Sequence, residues 1–364
     1  MRVDWLSLTG FRSYKQVDWR PDRGVNLLVG PNGAGKTNVL EAVSYLSTLK
    51  SFRGASDSAL VADDSDSAVI RSGLTGKERE RLIEMEIPRS GAKRVQVDKN
   101  KLKRSADLLG VIRTVAFLPD DLDLVKRGPA LRRELLDDIA IQLWPAANLD
   151  QSEFERALRQ RNAFLKSGDR DGATLGVWDS RLAQAGGKVL ARRARVIEVL
   201  TPLLAAAYTQ IAGPGPITTI TYVNSWDGTA LAPMSAADYA IRVDEGLERA
   251  RRIDYERRMT TVGPHRDEPG FALDDADSRN HASQGEQRSI ALAIKLAAHQ
   301  AILEVVGDSP VLLLDDVFSE LDPERSEALA KTLPADTQTL ITSARPEELP
   351  VVGRLWRVEG GRVL

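Results

Sequence analysis

The sequence predicts an α/β fold in which an antiparallel β subdomain and a mixed or parallel sheet with helices form a head, interrupted by a helical segment. Three observations predict it. A short apolar run at residues 25–29 precedes a glycine-rich loop and a helix. A second apolar run at 310–314 ends in paired carboxylates, as central parallel strands often do. Helical periodicity fills the middle of the chain. We therefore predict a head in 1–124 and 259–364, with an inserted, mainly helical arm in 125–258.

Alternating apolar and polar residues predict the remaining strands of the head. Residues 1–29 indicate a β-hairpin that leads into the first buried strand, and residues 69–103 continue the same alternation. Residues 111–118 form another apolar strand, ended by Pro119. We expect residues 69–103 to form an antiparallel sheet beside the glycine-rich loop.

The glycine-rich loop has the spacing of a phosphate-binding loop. Its residues are Gly30, Pro31, Asn32, Gly33, Ala34, Gly35, Lys36 and Thr37. Glycines let successive backbone N–H groups turn inward around a phosphate, and the following helix N-terminus adds partial positive charge. In such a loop Lys36 reaches the β and γ phosphate oxygens, and the Thr37 hydroxyl ligates Mg²⁺. The pattern predicts nucleotide binding; a flexible glycine-rich turn is the weaker interpretation.

The composition is that of a soluble globular protein. The chain has 364 residues, of which 42% are hydrophobic and 28% charged, and its formal net charge is −2. It has no cysteine, which excludes disulfides, thiolate zinc sites and thiol catalysis. The N-terminus lacks the apolar core of a signal peptide, and no uncharged apolar run reaches membrane-spanning length. We expect a cytoplasmic protein with no membrane partner.

Two aspartates end the apolar run at 310–314. Because ligands bind at the C-terminal ends of parallel strands, Asp315 would hold Mg²⁺ directly or through water. Asp316 would orient or deprotonate an attacking water. Alone, the pattern could equally be a core strand entering a turn. Joined to the phosphate-binding loop, it predicts the second half of a nucleotide site.

A third motif begins the helix that precedes this strand. Ser283 and Glu286 have the spacing of a capping box, so one interpretation is a well-capped helix. The exposed N–H groups and the Ser283 hydroxyl could instead form a second anion site. Since the loop at 30–37 already surrounds one side of a triphosphate, a second subunit could supply this helix from the opposite side.

In these motifs the sequence resembles the ABC-type ATPases, whose signature motif caps the γ-phosphate of ATP bound to a partner subunit in a head-to-tail dimer. The resemblance places Ser283, Gly285 and Glu286 in the signature motif, acting in trans. It implies ATP as the ligand of the loop, with Lys36, Asp315 and Asp316 as catalytic residues. Residues 319–322 are similar to the loop that crosses the dimer interface of these proteins.

Within that superfamily the sequence is most similar to the RecF recombination-repair proteins. The segments that carry the resemblance are LSLTGFRSY (6–14), GPNGAGKTNVLEAVSYLSTLKSFR (30–53), FLPDDLDLVKRGPALRR (117–133), VGPHRDE (262–268), SQGEQR (283–288) and LLLDDVFSELD (312–322). Most ABC-type ATPases have Glu where Asp316 stands, and the shorter side chain predicts slow hydrolysis used as a switch. The switch histidine is absent after residues 339–341, so we assign Ser343 as the γ-phosphate sensor.

Clustered cations predict contact with nucleic acid. Residues 93–104 hold six Lys or Arg against one Asp, a local charge of +5 on a predicted hairpin edge. The candidates for DNA contact are Lys99, Lys101, Lys103 and Arg104. The arm adds arginines, among them Arg132, Arg161 and Arg193, for which a solvated, ion-paired helix face is an equal interpretation. No base-reading motif occurs, so binding would be sequence-independent and weakened by salt. His265 is assigned to a turn, outside the site.

The RecF resemblance implies a function in recombinational repair. An ATP-driven homodimer would act as a clamp on duplex DNA or a duplex/single-strand junction, and weak DNA-dependent ATP hydrolysis would reopen it. The implied partners are RecR and RecO, so that RecA can load in gap repair, replication restart and the SOS response. Two alternatives are the nucleotide-binding subunit of an ABC transporter and an SMC-like structural tether. The long separation of Lys36 from Ser283 disfavours the first, and the absence of heptads disfavours the second.

Overall fold

A computed structural model describes residues 1–77 and 79–364. The strands are β1 (Arg2–Phe11), β2 (Tyr14–Trp19), β3 (Val25–Val29), β4 (Ser67–Thr75), β5 (Glu80–Pro88), β6 (Arg94–Val97), β7 (Asn100–Lys101), β8 (Thr114–Phe117), β9 (Thr218–Val223), β10 (Glu268–Leu273), β11 (Ala276–Asp277), β12 (Val311–Asp315), β13 (Thr339–Ser343), β14 (Arg354–Glu359) and β15 (Arg362–Val363). The helices are α1 (Lys36–Thr48), α2 (Asp57–Leu60), α3 (Pro129–Leu143), α4 (Ala147–Ser167), α5 (Gly172–Ala212), α6 (Ala236–Arg257), α7 (Ser278–His281), α8 (Gln284–Val306) and α9 (Pro323–Thr332).

The chain divides into two compact units. Unit 1 consists of Met1–Leu122, Ala207–Pro214 and Ala291–Leu364, and unit 2 consists of Asp123–Ala206 and Gly215–Ile290. Residues 259–290, which the sequence assigns to the head, thus lie in unit 2. The units describe packing rather than function, so the division into a head and an arm at 125–258 stays a prediction.

The first sheet of unit 1 is antiparallel and joins the two predicted hairpin regions. Its strand order is β2-β1-β4-β5-β6-β7. Over most of β1, β4, β5 and β6, buried residues alternate with more exposed ones, and Leu6, Leu8, Ile70, Ile83 and Met85 are almost completely buried. The hairpin predicted before the loop strand (β1 and β2) and the antiparallel pairing predicted in residues 69–103 are therefore confirmed, and the structure joins them in one sheet.

The second sheet of unit 1 brings the ends of three distant chain segments together. Its order is β15-β14-β3-β13-β12-β8, with every pairing parallel except that of β14 with β15. In register, Val29 pairs with Ser343, and Asp315 pairs with Thr342. The C-terminal ends of β3, β13 and β12 therefore lie side by side, which is where parallel sheets bind ligands.

One apolar core holds the two sheets and helix α1 together. The α1 side chains that reach it are Val39, Leu40, Val43 and Leu46, all buried. They recur three and four residues apart, so one helical face is apolar. Leu313 and Leu340 from the parallel strands belong to the same core. The fold is thus the predicted α/β arrangement of an antiparallel subdomain beside a mixed sheet.

Unit 2 contains helices α3, α4 and α6, most of α5, and a small sheet in the order β11-β10-β9. Several of its arginines are buried rather than solvated. Arg161 on α4 is completely buried between Asp179 and Asp254, with N–O distances of 2.7 Å to each. Arg193 is buried against Asp137, and Arg132 donates to backbone carbonyls including that of Pro269. These three side chains therefore hold unit 2 together and are not candidates for phosphate contact.

Helix α8 is the one described helix that is long and apolar enough to cross a membrane, judged by length and composition alone. Its most apolar stretch is 67% buried within the protein. A core helix of a soluble protein has the same properties.

Candidate nucleotide-binding site

The phosphate-binding loop lies between β3 and α1, in the predicted order of strand, loop and helix. Gly33 and Gly35 have φ angles of 81° and 104°, which glycine adopts more readily than other residues. Gly30 is restricted by space instead, because a Cβ there would overlap the carbonyl oxygen of Val358 on β14. The loop thus needs glycine at these positions for two different reasons.

Lys36 is the first residue of α1 and folds back over the loop. Its Nζ donates to the carbonyl oxygens of Gly30 and Pro31, at 2.8 and 3.0 Å. Burial lowers the pKa of Lys36, although the nearby carboxylates of Asp316 and Asp315 act in the opposite direction. The ammonium group is therefore held at the loop, close to both acidic residues.

Thr37 and Asp315 meet although 278 residues separate them in the chain. The Thr37 hydroxyl donates to Asp315 Oδ1 at 2.7 Å, and the Thr342 hydroxyl donates to the same oxygen at 2.8 Å. A carboxylate and a hydroxyl are hard oxygen ligands of the kind that Mg²⁺ prefers, with phosphate oxygens and water completing its shell. The residues present therefore fit the predicted magnesium site.

Asp316 follows Asp315 in a left-handed backbone conformation, with φ 52° and ψ 24°. Its backbone N–H donates to the Thr342 hydroxyl at 3.0 Å. Burial raises the pKa of Asp316; the Lys36 ammonium opposes this and the Asp315 carboxylate adds to it. A carboxylate with a raised pKa beside a phosphate-binding loop has the properties of a group that accepts a proton from water.

Ser343 ends β13 at the same edge of the sheet. It is buried, lies in register with Val29 at the end of β3, and accepts a hydrogen bond from Arg345 N at 3.0 Å. Its hydroxyl proton can still be donated to an oxygen of a ligand. The structure therefore brings Lys36, Thr37, Asp315, Asp316 and Ser343 to one edge of the mixed sheet.

A second layer of side chains supports the loop and was absent from the predicted site. Arg12 donates to both carboxylate oxygens of the buried Glu41, at 2.7 and 2.9 Å. Tyr14 donates to the carbonyl oxygen of Gly35 at 3.1 Å, and Asn38 donates to Ser13 Oγ at 2.8 Å. These residues lie in segments 6–14 and 30–53, which carry the family resemblance. That resemblance was the feature of the sequence that could have identified them as part of the site.

The signature residues lie in unit 2 and form the capping box that their spacing predicts. The Ser283 backbone N–H and hydroxyl both donate to Glu286 Oε2, at 2.8 and 2.7 Å, and the Glu286 N–H donates to Ser283 Oγ at 3.3 Å. Ser283 is exposed and Gly285 half-buried. The capping interpretation is confirmed, and an additional action in trans stays a prediction.

The candidate DNA contacts lie on the hairpin of β6 and β7, at the edge of the antiparallel sheet, and in the residues directly after it. Lys99, Lys101 and Lys103 are exposed and form no salt bridge with any residue in the described parts of the chain. Arg104 is paired with Asp107 at 2.6 Å, which makes it less available to a phosphate. His265 lies in unit 2, and burial lowers its pKa to about 4, as expected for a neutral turn residue.

The fold and this site together define an ATPase head of the ABC and SMC type. Residues 2–361 match the family model described as the RecF/RecN/SMC N terminal domain. The chain belongs to the RecF family of DNA replication and repair proteins. It is 41% identical to the RecF protein of Streptomyces avermitilis, covering 100% of this chain and 99% of that protein. It is 38% identical to RecF of Acidothermus cellulolyticus, covering 100% and 99%.

Comparison with solved structures also shows similarity to RecF proteins. The chain is similar to the recombination mediator protein RecF of the RecFOR pathway, described as RecF-ATPrS, with 31% identity, a TM-score of 0.91, and coverage of 100% of this chain and 97% of that one. A second structure, described as RecF-ATP, gives 31% identity, a TM-score of 0.88 and coverage of 100% and 98%. The Smc head of Pyrococcus furiosus matches at 15% identity and a TM-score of 0.54, covering 100% and 95%, which shows a shared fold alone. Membership of the RecF family decides against the transporter subunit that the sequence left as an alternative.

Proposed function

We propose that this protein binds ATP with Mg²⁺ and hydrolyses it slowly, as a switch that closes a homodimeric clamp on DNA during recombinational repair. The observation that carries the proposal is the meeting of Lys36, Thr37 and Asp315 at the C-terminal ends of parallel strands. Solved RecF structures described with ATP support the identity of the nucleotide.

Each residue of the site has a distinct part in the proposed chemistry. The loop N–H groups and Lys36 bind the β and γ phosphates. Thr37 and Asp315 would hold Mg²⁺, which neutralises charge that develops on the phosphate oxygens when it is bound. Asp316, with its raised pKa, orients the attacking water and accepts its proton. Ser343 donates a hydrogen bond to a γ-phosphate oxygen.

Dimerisation would complete the site from a second copy of the chain. In this proposal Ser283, Gly285 and Glu286 of one subunit reach the γ-phosphate bound by the other, because a helix N-terminus favours an anion. DNA would lie against the exposed lysines of the β6–β7 hairpin, with no sequence preference. DNA-stimulated hydrolysis would reopen the clamp. The RecFOR pathway named for the RecF structures supports RecR and RecO as partners. In this proposal the protein acts with them in the cytoplasm so that RecA can load in gap repair, replication restart and the SOS response.

The test is the mass of the purified protein in solution, measured by light scattering with and without ATP and Mg²⁺. We expect ATP to double the mass of the wild type. Lys36→Met should stay monomeric because it cannot bind the phosphates, and Ser283→Arg should bind ATP yet stay monomeric. Ser180→Arg, at an exposed position on α5, is the matched control and should dimerise.

Two results would contradict the clamp. If the wild type stays monomeric with ATP, the nucleotide does not drive dimerisation. If Ser283→Arg dimerises as Ser180→Arg does, Ser283 is only a helix cap.

A further inference from the structure

We propose that Thr342 is a positioning residue for both carboxylates of the site, so that one buried hydroxyl sets the geometry of the magnesium-holding group and of the water-activating group. The inference rests on the proposed hydrolysis of ATP. It concerns a residue that lies beside the predicted sensor Ser343 but contacts different atoms.

The position of Thr342 follows from the sheet. It is on β13, directly opposite Asp315 on the neighbouring parallel strand β12. Its side chain is 1% exposed. The chain therefore places a hydroxyl group at the buried side of the Asp315 carboxylate, where water has no access to replace it.

The Thr342 hydroxyl uses both of its hydrogen-bonding capacities on the acidic pair. It donates to Asp315 Oδ1 at 2.8 Å and accepts the backbone N–H of Asp316 at 3.0 Å. A hydroxyl has one proton and two lone pairs, so these two bonds are compatible. Valine has the same shape without this group, and serine has this group without the methyl.

Each of the two bonds restrains a different element of the site. The bond to Oδ1, together with that from Thr37, orients the Asp315 carboxylate from two sides. The bond from the N–H restrains Asp316, whose φ of 52° is unusual for a residue with a side chain. Without the hydroxyl, Asp315 can rotate away from the metal position and the Asp316 turn loses the acceptor of its N–H.

The phosphate-binding loop does not depend on Thr342 for its own contacts. Lys36 bonds to the carbonyl oxygens of Gly30 and Pro31, and Gly35 O accepts from Tyr14. Removal of the Thr342 hydroxyl should therefore raise the Mg²⁺ concentration that strengthens nucleotide binding and slow the hydrolysis step, and leave metal-free nucleotide binding unchanged.

The experiment compares Thr342→Val, Thr342→Ser and Thr339→Val. Thr339 is the matched control, because it is a buried threonine at the other end of β13 whose hydroxyl donates to Thr337 O, at 3.3 Å. Two quantities are measured: the affinity for a fluorescent ATP analogue as Mg²⁺ is titrated from zero, and the hydrolysis rate at saturating ATP and Mg²⁺. A melting curve shows that each variant is folded, and Thr342→Ala takes the place of Thr342→Val if valine prevents folding.

In Thr342→Val, the Mg²⁺ concentration that produces half of the metal's effect on nucleotide affinity should rise on the order of tenfold, and ATP hydrolysis should be at least tenfold slower. Losses of this size are expected when a hydrogen bond to a charged group is removed. The affinity of Thr342→Val without Mg²⁺ should equal that of the wild type. Thr342→Ser should recover most of both properties, and Thr339→Val should behave as the wild type does.

Equal Mg²⁺ dependence and rate in Thr342→Val and wild type would overturn the inference and leave the proposed ATPase intact. The same would follow if Thr342→Ser were as impaired as Thr342→Val, since the hydroxyl would then be irrelevant. Failure of the wild type to bind or hydrolyse ATP would instead overturn the proposed function on which the inference rests.

Discussion

Replacing Arg161 by Met should destabilise unit 2 far more than any exposed charge change on the same helix. Arg161 is completely buried and neutralises two buried carboxylates at once, those of Asp179 and Asp254. Methionine keeps much of the apolar stem but leaves those charges without their shared cation. Asp179 keeps a bond from the cationic Arg251 at 3.0 Å, whereas Asp254 keeps bonds from the neutral Thr261.

The expected cost follows from breaking a buried ion pair on one side. Such a change lowers the free energy of unfolding by about 3–5 kcal/mol. The control is Arg159→Met, two residues away on α4, where the side chain is 71% exposed and lies 3.7 Å from Glu155. An exposed pair of this kind contributes about 0–1 kcal/mol. The two variants should therefore differ by several kcal/mol despite the same chemical change on the same helix.

Urea unfolding followed by circular dichroism measures the difference, with the slope of each transition checked for a change in the unfolded state. In a melting experiment the larger cost corresponds to a shift of about 6–20 °C for a domain of this size. Adding Asp254→Asn to Arg161→Met should recover part of the stability, because the carboxylate left without its cation is then neutral. Equal destabilisation by Arg161→Met and Arg159→Met, or no recovery in the double variant, would refute the reasoning.

Two further predictions concern the nucleotide and DNA sites. Gly30→Ala should abolish ATP binding in a fluorescence titration, because its Cβ would overlap Val358 O and force β14 away from the loop. Gly24→Ala is the control and should bind ATP normally, because a Cβ there meets open space. Normal binding by Gly30→Ala would show that the loop tolerates the displacement. Replacing Lys99, Lys101 and Lys103 together by Gln should weaken DNA binding equally for all sequences and reduce the slope of log K against log salt by roughly 0.9 for each phosphate that the variant no longer neutralises. Lys331→Gln, on α9 and paired with Glu327, is the control, and an unchanged slope in the triple variant would place the DNA elsewhere.

Local sequence patterns predicted much of this site because the residues that form it are close to regular elements. The strand, loop and helix at 25–48 follow from one apolar run, the glycines and a helical face. The capping box at Ser283 follows from a spacing of three residues. Asp315 and Asp316 were predicted because they directly follow the apolar run at 310–314. In each case the pattern and the structure involve neighbours in the chain.

What the sequence could not supply is the identity of neighbours across the sheet. The role of Thr342 depends on β13 lying next to β12 in a particular register, and no local pattern specifies which strands pair. Arg161 and Arg193 lie in amphipathic helices where arginine normally faces water, and only the positions of Asp179 and Asp137 on other helices explain their burial. Both kinds of contact join residues that are distant in the chain.

The pairing of β3 also has a consequence for how the protein is made. Both of its neighbours in the sheet, β13 and β14, are synthesised long after β3, and so is β12. A ribosome that has produced the entire phosphate-binding loop has not yet produced either strand that pairs with β3. The nascent chain must therefore keep an apolar strand without those partners until β13 and β14 have been translated, a situation in which chaperones are commonly needed. Prematurely terminated chains that lack β13 and β14 would carry the loop sequence without the sheet that gives it shape.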